Sequence, residues 1–232
     1  MAAIVGTSTR GWDGTNNTTV ASDAKNTTTG NLIAVCDTTQ EGAGSTTIDS
    51  VADTAGNTYV AGTHYGAGGG GGMVRWFYAR TATGNASNVV TATMSGNTRY
   101  KAIFQIEISG LDTSASVFAD ESGGIAFASS TISPGDLTLS AAGIFLYGVV
   151  ATNDRSFTPD SAYTEIDDAQ GGAWGGSGST AYDIDTGSTD NPTATASSAS
   201  NLTIAAIAFL DASGGGGDPS PNIPGRRFYV MP

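Results

Sequence analysis

Cysteine, histidine, lysine and glutamate are all scarce in this 232-residue chain. There is one Cys (Cys36) and one His (His64); Lys occurs only as Lys25 and Lys101, and Glu only as Glu41, Glu107, Glu121 and Glu165. A single Cys excludes an intrachain disulfide framework. One Cys and one His cannot complete a tetrahedral zinc site. Any serine or cysteine triad would need His64 as its base, and no serine sits in a G-x-S-x-G elbow. His64, between Tyr65 and a glycine run, reads as a loop residue, and Cys36 as a small buried hydrophobe in Leu32-Ile33-Ala34-Val35-Cys36. Glycine runs exist, but none is followed by Gly-Lys-Ser/Thr, so no P-loop is present.

Charge is sparse and lopsided. Charged residues are 13% of the chain, with 9 Lys+Arg against 21 Asp+Glu and a net charge of −12. Phosphate backbones are held by Lys and Arg clusters, so nucleic acid is not expected as a partner. Docking on an anionic membrane face is not expected either. No stretch reaches the 18 or so consecutive apolar residues of a membrane helix. Met1-Ala2-Ala3-Ile4-Val5-Gly6-Thr7 lacks a basic region leading into an apolar run, so no export signal is expected. Asp pairs such as Asp167-Asp168 and Asp183-Ile184-Asp185 lie in turn-like stretches, where capping is the ordinary role of Asp. The Asp183–Asp190 run fails the EF-hand spacing because its Gly comes too early and the bidentate Glu is missing. No catalytic residue, cofactor or metal is expected.

What is abundant is Thr, Ser, Gly, Ala and Asn, with 33 glycines. Short strands joined by polar turns have this composition, and helix is expected to be nearly absent. Apolar runs bounded by turn residues fall at Asn31–Thr38, Thr46–Asp53, Thr58–His64, Met73–Thr81, Asn88–Met94 and Arg99–Ser109. They continue at Gly124–Ser129, Gly143–Thr152, Thr180–Thr186 and Asn201–Asp211. Within Arg99–Ser109, Ala102, Phe104, Ile106 and Ile108 share one face. Lys101, Gln105 and Glu107 share the other, which reads as wet, with Ile103 breaking the pattern. Ile144–Val150 and Ile204–Leu210 are apolar on both faces, so the second face is expected under loops or a neighbouring subunit. The predicted core includes Phe104, Ile106, Ile108, Leu146, Val150, Ile207 and Phe209.

Aromatic residues suggest one binding surface. Trp76 and Tyr78 share a face of Val74–Tyr78 with Phe77 opposite, so at least one set is core. Trp174, set among glycines, is the candidate for stacking on a sugar.

The succession Gly30–Val35, Ser50–Tyr59, Arg75–Arg80, Val89–Thr93, Ile106–Asp112 and Pro134–Leu139 resembles a jelly-roll-like β-sandwich module. That module occurs in tailed-phage structural proteins (capsid decoration and fibre proteins) and in bacterial surface proteins. The resemblance spans about Gly30 to Asp211. It implies an all-β antiparallel sandwich used for display or attachment, and it carries over no active-site residues. With no export signal expected, it points to a non-enzymatic virion protein, a capsid decoration (cement) protein on the outer surface of a phage particle assembled in the host cytoplasm. The alternative is a fibre or receptor-binding module that holds a host polysaccharide through Trp174.

Three segments are expected: a sandwich over residues 1–211, a Gly/Pro-rich linker over 212–221 and an arm over 222–232. The arm concentrates Arg226 and Arg227 beside Phe228, Tyr229 and Val230, after Ile223. Arg and aromatics are enriched at interface hot spots, so these six residues are expected to bind capsid or other virion proteins. The two-faced apolar strands lead to an expected homo-oligomer, a trimer.

Overall fold

The computed structural model describes residues 1–40, 46–66, 72–113, 117–170 and 176–212. Among these residues there is no helix, and every strand pairing is antiparallel. The chain divides into two sheet-forming halves. Residues before 110 form sheet I, in the order Ala3–Ile4, Lys101–Ser109, Leu32–Thr39, Met73–Ala79, Val60–Gly66, with Thr9–Asp13 also pairing Lys101–Ser109. The later half forms sheet II, in the order Phe118–Ile132, Ala194–Leu210, Gly143–Ala151, Ser177–Asp185, Thr164–Gln170, with Phe157–Pro159 pairing the start of Ala194–Leu210. A third sheet, Asn17–Ala21, Val90–Thr98 and Ile48–Asp53, belongs to the first half.

Three apolar clusters define the layering. Between sheets I and II lie Leu32, Ala34, Cys36, Trp76, Phe104, Ile106 and Ile108, facing Ile144, Leu146, Val150, Ile207 and Phe209. All seven residues expected in the core are in this cluster, and each is at most 2% exposed. The opposite face of sheet I, with Ile33, Val35, Phe77 and Ile103, packs on Val20, Ile48, Val90, Ala92 and Met94 of sheet III. The opposite face of sheet II, with Phe145, Tyr147, Val149, Ile204 and Ala206, lies under Leu137, Leu139, Phe157, Tyr163 and Ala194. The result is a sandwich with an added cover on each side.

One expectation changes in consequence. The polar face of Lys101–Ser109 is not wet: Lys101 and Gln105 are fully buried and Glu107 is 1% exposed. Sheet III covers that face, and Ile103, the residue that broke the alternation, enters the second core. Each of these three side chains finds partners within the chain, and only the Gln105 amide nitrogen and one Glu107 carboxylate oxygen among them are left without one. The Lys101 ammonium donates to the carbonyls of Thr15 (2.8 Å) and Thr98 (2.7 Å), 3.8 Å from the Asp13 carboxylate. Glu107 accepts the Thr28 amide at 2.9 Å and the Asn31 side-chain amide at 2.6 Å. The side-chain carbonyl of Gln105 accepts the hydroxyls of Thr9 and Ser22, both at 3.3 Å. The second faces of Ile144–Val150 and Ile204–Leu210 are likewise covered by this chain's own residues, so no neighbouring subunit is needed to bury them.

Strand limits follow the expected runs with two large extensions. Gly124–Ser129 lies inside Phe118–Ile132, whose register shifts near Ala128, a residue at φ 49°. Asn201–Asp211 is the second half of Ala194–Leu210. In the turn after Asp53 only Gly56 takes a left-handed φ, 77°; Asn57 does not.

Candidate functional site

The two halves meet where the described chain ends. Leu111, just past sheet I, bridges Asp211, just past sheet II. The Asp211 carboxylate accepts the Ala2 amide at 3.1 Å and lies 2.8 Å from the Met1 amino group. Its backbone amide donates to Ala142 at 2.8 Å, and the Ala212 amide donates to Gly110 at 2.9 Å. Asp211 is 2% exposed, so burial and these contacts fix the point from which the chain continues toward residue 213. The signal for this clamp was absent from the sequence, because an Asp ending an apolar strand reads as an ordinary strand terminus. Ile223, Arg226, Arg227, Phe228, Tyr229 and Val230, with the linker, lie outside the described residues, as does Trp174.

Trp76 and Tyr78, on one face of the aromatic strand, are 2% and 7% exposed, and Phe77 on the other is 2% exposed. Both faces of that strand are core, so the segment offers no platform. The Trp76 indole donates across the sheets to the Ala205 carbonyl at 3.0 Å, and the Tyr78 ring meets Phe209 edge-on with centroids 5.1 Å apart.

Cys36 is fully buried, and burial, with Asp37 beside it, pushes its thiol well above the ordinary range. A thiol held protonated is a poor nucleophile. His64 is half-buried; burial and the neighbouring Arg75 cation lower its affinity for a proton, against the opposing pull of Asp49.

In each Asp pair one carboxylate is already hydrogen-bonded. Asp167 accepts the Arg10 guanidinium at 2.7 Å and the Ser8 hydroxyl at 2.7 Å. Asp185 accepts the Gly187 amide at 3.0 Å and the Ser188 hydroxyl at 2.8 Å, closing its own turn. Burial, with Asp185, Asp190 and Asp160 nearby, raises the Asp183 carboxyl despite a backbone hydrogen bond from Ile184. Among the described residues no group of three or more His, Cys, Asp or Glu is placed to hold a metal ion.

Comparisons with protein-family models, curated proteins and solved structures found no match for the chain.

Proposed function

We propose that this protein is a non-enzymatic structural component of a phage particle, a decoration (cement) protein on the capsid surface. The single observation that supports the reading is the clamped root at Asp211. A tether transmits force or position only if its near end is fixed, and here that end is held by the Ala2 amide, the Ala142 and Gly110 carbonyls and the Leu111 bridge. From this root the segment carrying Ile223, Arg226, Arg227, Phe228, Tyr229 and Val230 is proposed to dock on a capsid protein. Arg pairs with carboxylates while the aromatics fill apolar pockets. The resemblance to jelly-roll-like display modules of phage proteins supports the same reading. The self-covered sheets suit it too, because a body that buries its own apolar surface can stand on a particle without a partner on every face. Repetition over a symmetric shell, with the trimer as the first expectation, would come from the arm and sheet edges.

The test is reconstitution. Particles lacking the protein are mixed with the full chain or with a chain deleted for Asn222–Pro232, and bound copies and heat resistance are measured. The full chain is expected to bind at a fixed ratio to the capsid protein and to raise the inactivation temperature, and the deletion is expected to remain folded and do neither. Equal binding by the deletion overturns the arm, and no binding by the full chain overturns the decoration role.

A further inference from the structure

A cleft of about 570 Å³ opens where the strand Val60–Gly66 begins and the strand Met73–Ala79 ends. Its wall includes Asn57, Thr58, Arg80, Thr81, Thr83 and Thr113. That is four hydroxyls, one amide and one guanidinium, with the exposed side chain of Val60 as an apolar patch.

Arg80 is the anomaly. Arg10 is paired with Asp167, and Lys25 donates to the carbonyls of Val5 and Thr7. Arg75 donates to the carbonyls of Gly62 and Ile48, Lys101 to those of Thr15 and Thr98, and Arg155 to those of Asp154 and Ala199. Arg99 has a partner as well. Among the described residues Arg80 makes no hydrogen bond and no ion pair, in a chain whose net charge is −12. Among the described residues of a chain with 21 acidic side chains, this guanidinium, with its five donors, stands open at a cleft.

The wall beside it is held rigid from behind. The Asp53 carboxylate accepts the Asn57 backbone amide at 2.9 Å, the Asn57 side-chain amide at 2.7 Å, the Tyr59 hydroxyl at 2.8 Å and the Asn88 side-chain amide at 3.0 Å. The Asn57 side-chain carbonyl in turn accepts the Thr83 amide at 2.7 Å. This network joins the two segments that flank the opening, so the cleft is preorganised and ordering it on binding costs little.

We infer that this cleft binds an acidic saccharide, with Arg80 receiving a uronate carboxylate. The ligand class follows from the wall. Hydroxyls both donate and accept, which matches the alternating demands of sugar hydroxyls. One guanidinium matches one carboxylate in a bidentate pair. Phosphate can also pair with a guanidinium, but only a sugar also uses the four hydroxyls of the wall. The inference goes beyond particle decoration and does not depend on it: a protein that holds the sugar but binds no particle would support this site and overturn that role.

The experiment is a titration of the full chain with tetragalacturonate, followed through amide chemical shifts. Neutral galactotetraose and inorganic phosphate are run as parallel probes. Saturable shifts confined to Thr58, Thr81, Thr83 and Thr113 and their neighbours are expected with tetragalacturonate, and none with the neutral sugar. Arg80→Ala and Arg80→Gln are expected to weaken binding about tenfold or more, the loss of one charge-assisted pair. Arg80→Lys should fall between. Because Arg80 makes no hydrogen bond and no ion pair among the described residues, the variants should melt as the parent does, and two different replacements guard against one that misfolds. Undiminished affinity in both variants overturns the inference. So does equal binding of the neutral sugar, phosphate shifts as strong as those from the sugar, or no shift at millimolar tetragalacturonate.

Discussion

The Cys36 sulfur occupies the space a side chain on Gly148 would need: a Cβ built there would stand 2.2 Å from Sγ. Cys36 belongs to sheet I and Gly148 to sheet II, so this knob and notch set how closely the sheets approach. Gly148→Ala is expected to destabilise the protein by about 1–3 kcal/mol, as overpacking does. Cys36→Ala in the same chain should recover part of that loss, a coupling on the order of 1 kcal/mol in a double-mutant cycle by urea denaturation. The Cys36 thiol should also react with a thiol reagent only as fast as the chain unfolds. Rapid labelling of the native protein would contradict the packing described.

Trp76 supplies another contact between the large sheets. Trp76→Phe keeps most of the volume but leaves the buried Ala205 carbonyl without the indole donor, and it should cost about 1–3 kcal/mol. Phe104→Ala, deeper in the same core, should cost about 3–5 kcal/mol. Equal losses for the two variants in thermal or urea unfolding would mean that the indole bond contributes more than its geometry indicates.

Asp53 predicts an acid limb in stability. Burial alone would raise its carboxyl, but the donors from Asn57, Asn88 and Tyr59 outweigh burial and hold it below the ordinary value of 3.8. A depressed carboxyl contributes stability that is present above the unfolded pKa and lost as pH falls through the folded one. Asp53→Asn should therefore weaken the protein at pH 7 by about 1–3 kcal/mol and flatten the decline below about pH 4. The measurement is the urea midpoint as a function of pH.

Asp37 predicts the opposite slope. It is fully buried between sheets I and III, and neither carboxyl oxygen has a hydrogen-bond partner meeting normal geometry. Burial pushes its proton affinity well up, against the nearby Thr38 backbone amide and the charge of Lys101. A raised carboxyl contributes stability that is complete below the unfolded value of 3.8 and is lost as pH climbs toward the folded one. Asp37→Asn should stabilise the protein at pH 7 by more than about 1 kcal/mol and remove this slope. A variant less stable than the parent at neutral pH would show that the carboxyl is ionised and paired.

The inward face of Lys101–Ser109 was legible because its apolar residues recur with period two. Its outer face was misread for a physical reason. A Lys, a Gln and a Glu signal water only when no second layer supplies partners; here Asn17–Ala21, Ile48–Asp53 and Val90–Thr98 cover the face, and Thr9, Thr15, Ser22, Thr28, Asn31 and Thr98 supply the hydrogen bonds. Asn17–Ala21 is Asn-Thr-Thr-Val-Ala, with too little apolar content to announce a strand. The Asp211 clamp and the unpaired Arg80 were invisible in sequence for a related reason. Whether a charge finds a partner is decided by segments far apart in the chain, such as Ala2 and Asp211, 209 positions apart.

The position of Ala194–Leu210 carries a consequence for synthesis. This strand lies between Phe118–Ile132 and Gly143–Ala151 near the centre of sheet II, yet it follows every other strand of that sheet in sequence. On the ribosome, sheets I and III can assemble while sheet II still lacks its central member. Gly143–Ala151, apolar on both faces, must then wait with one edge bare until the last strand emerges and inserts. Translation adds about 5–20 residues per second, so the 42 positions between Ala151 and the start of that strand leave a window of a few seconds. During that window a nascent chain is most exposed to chaperone capture or to pairing with its neighbours on a polysome.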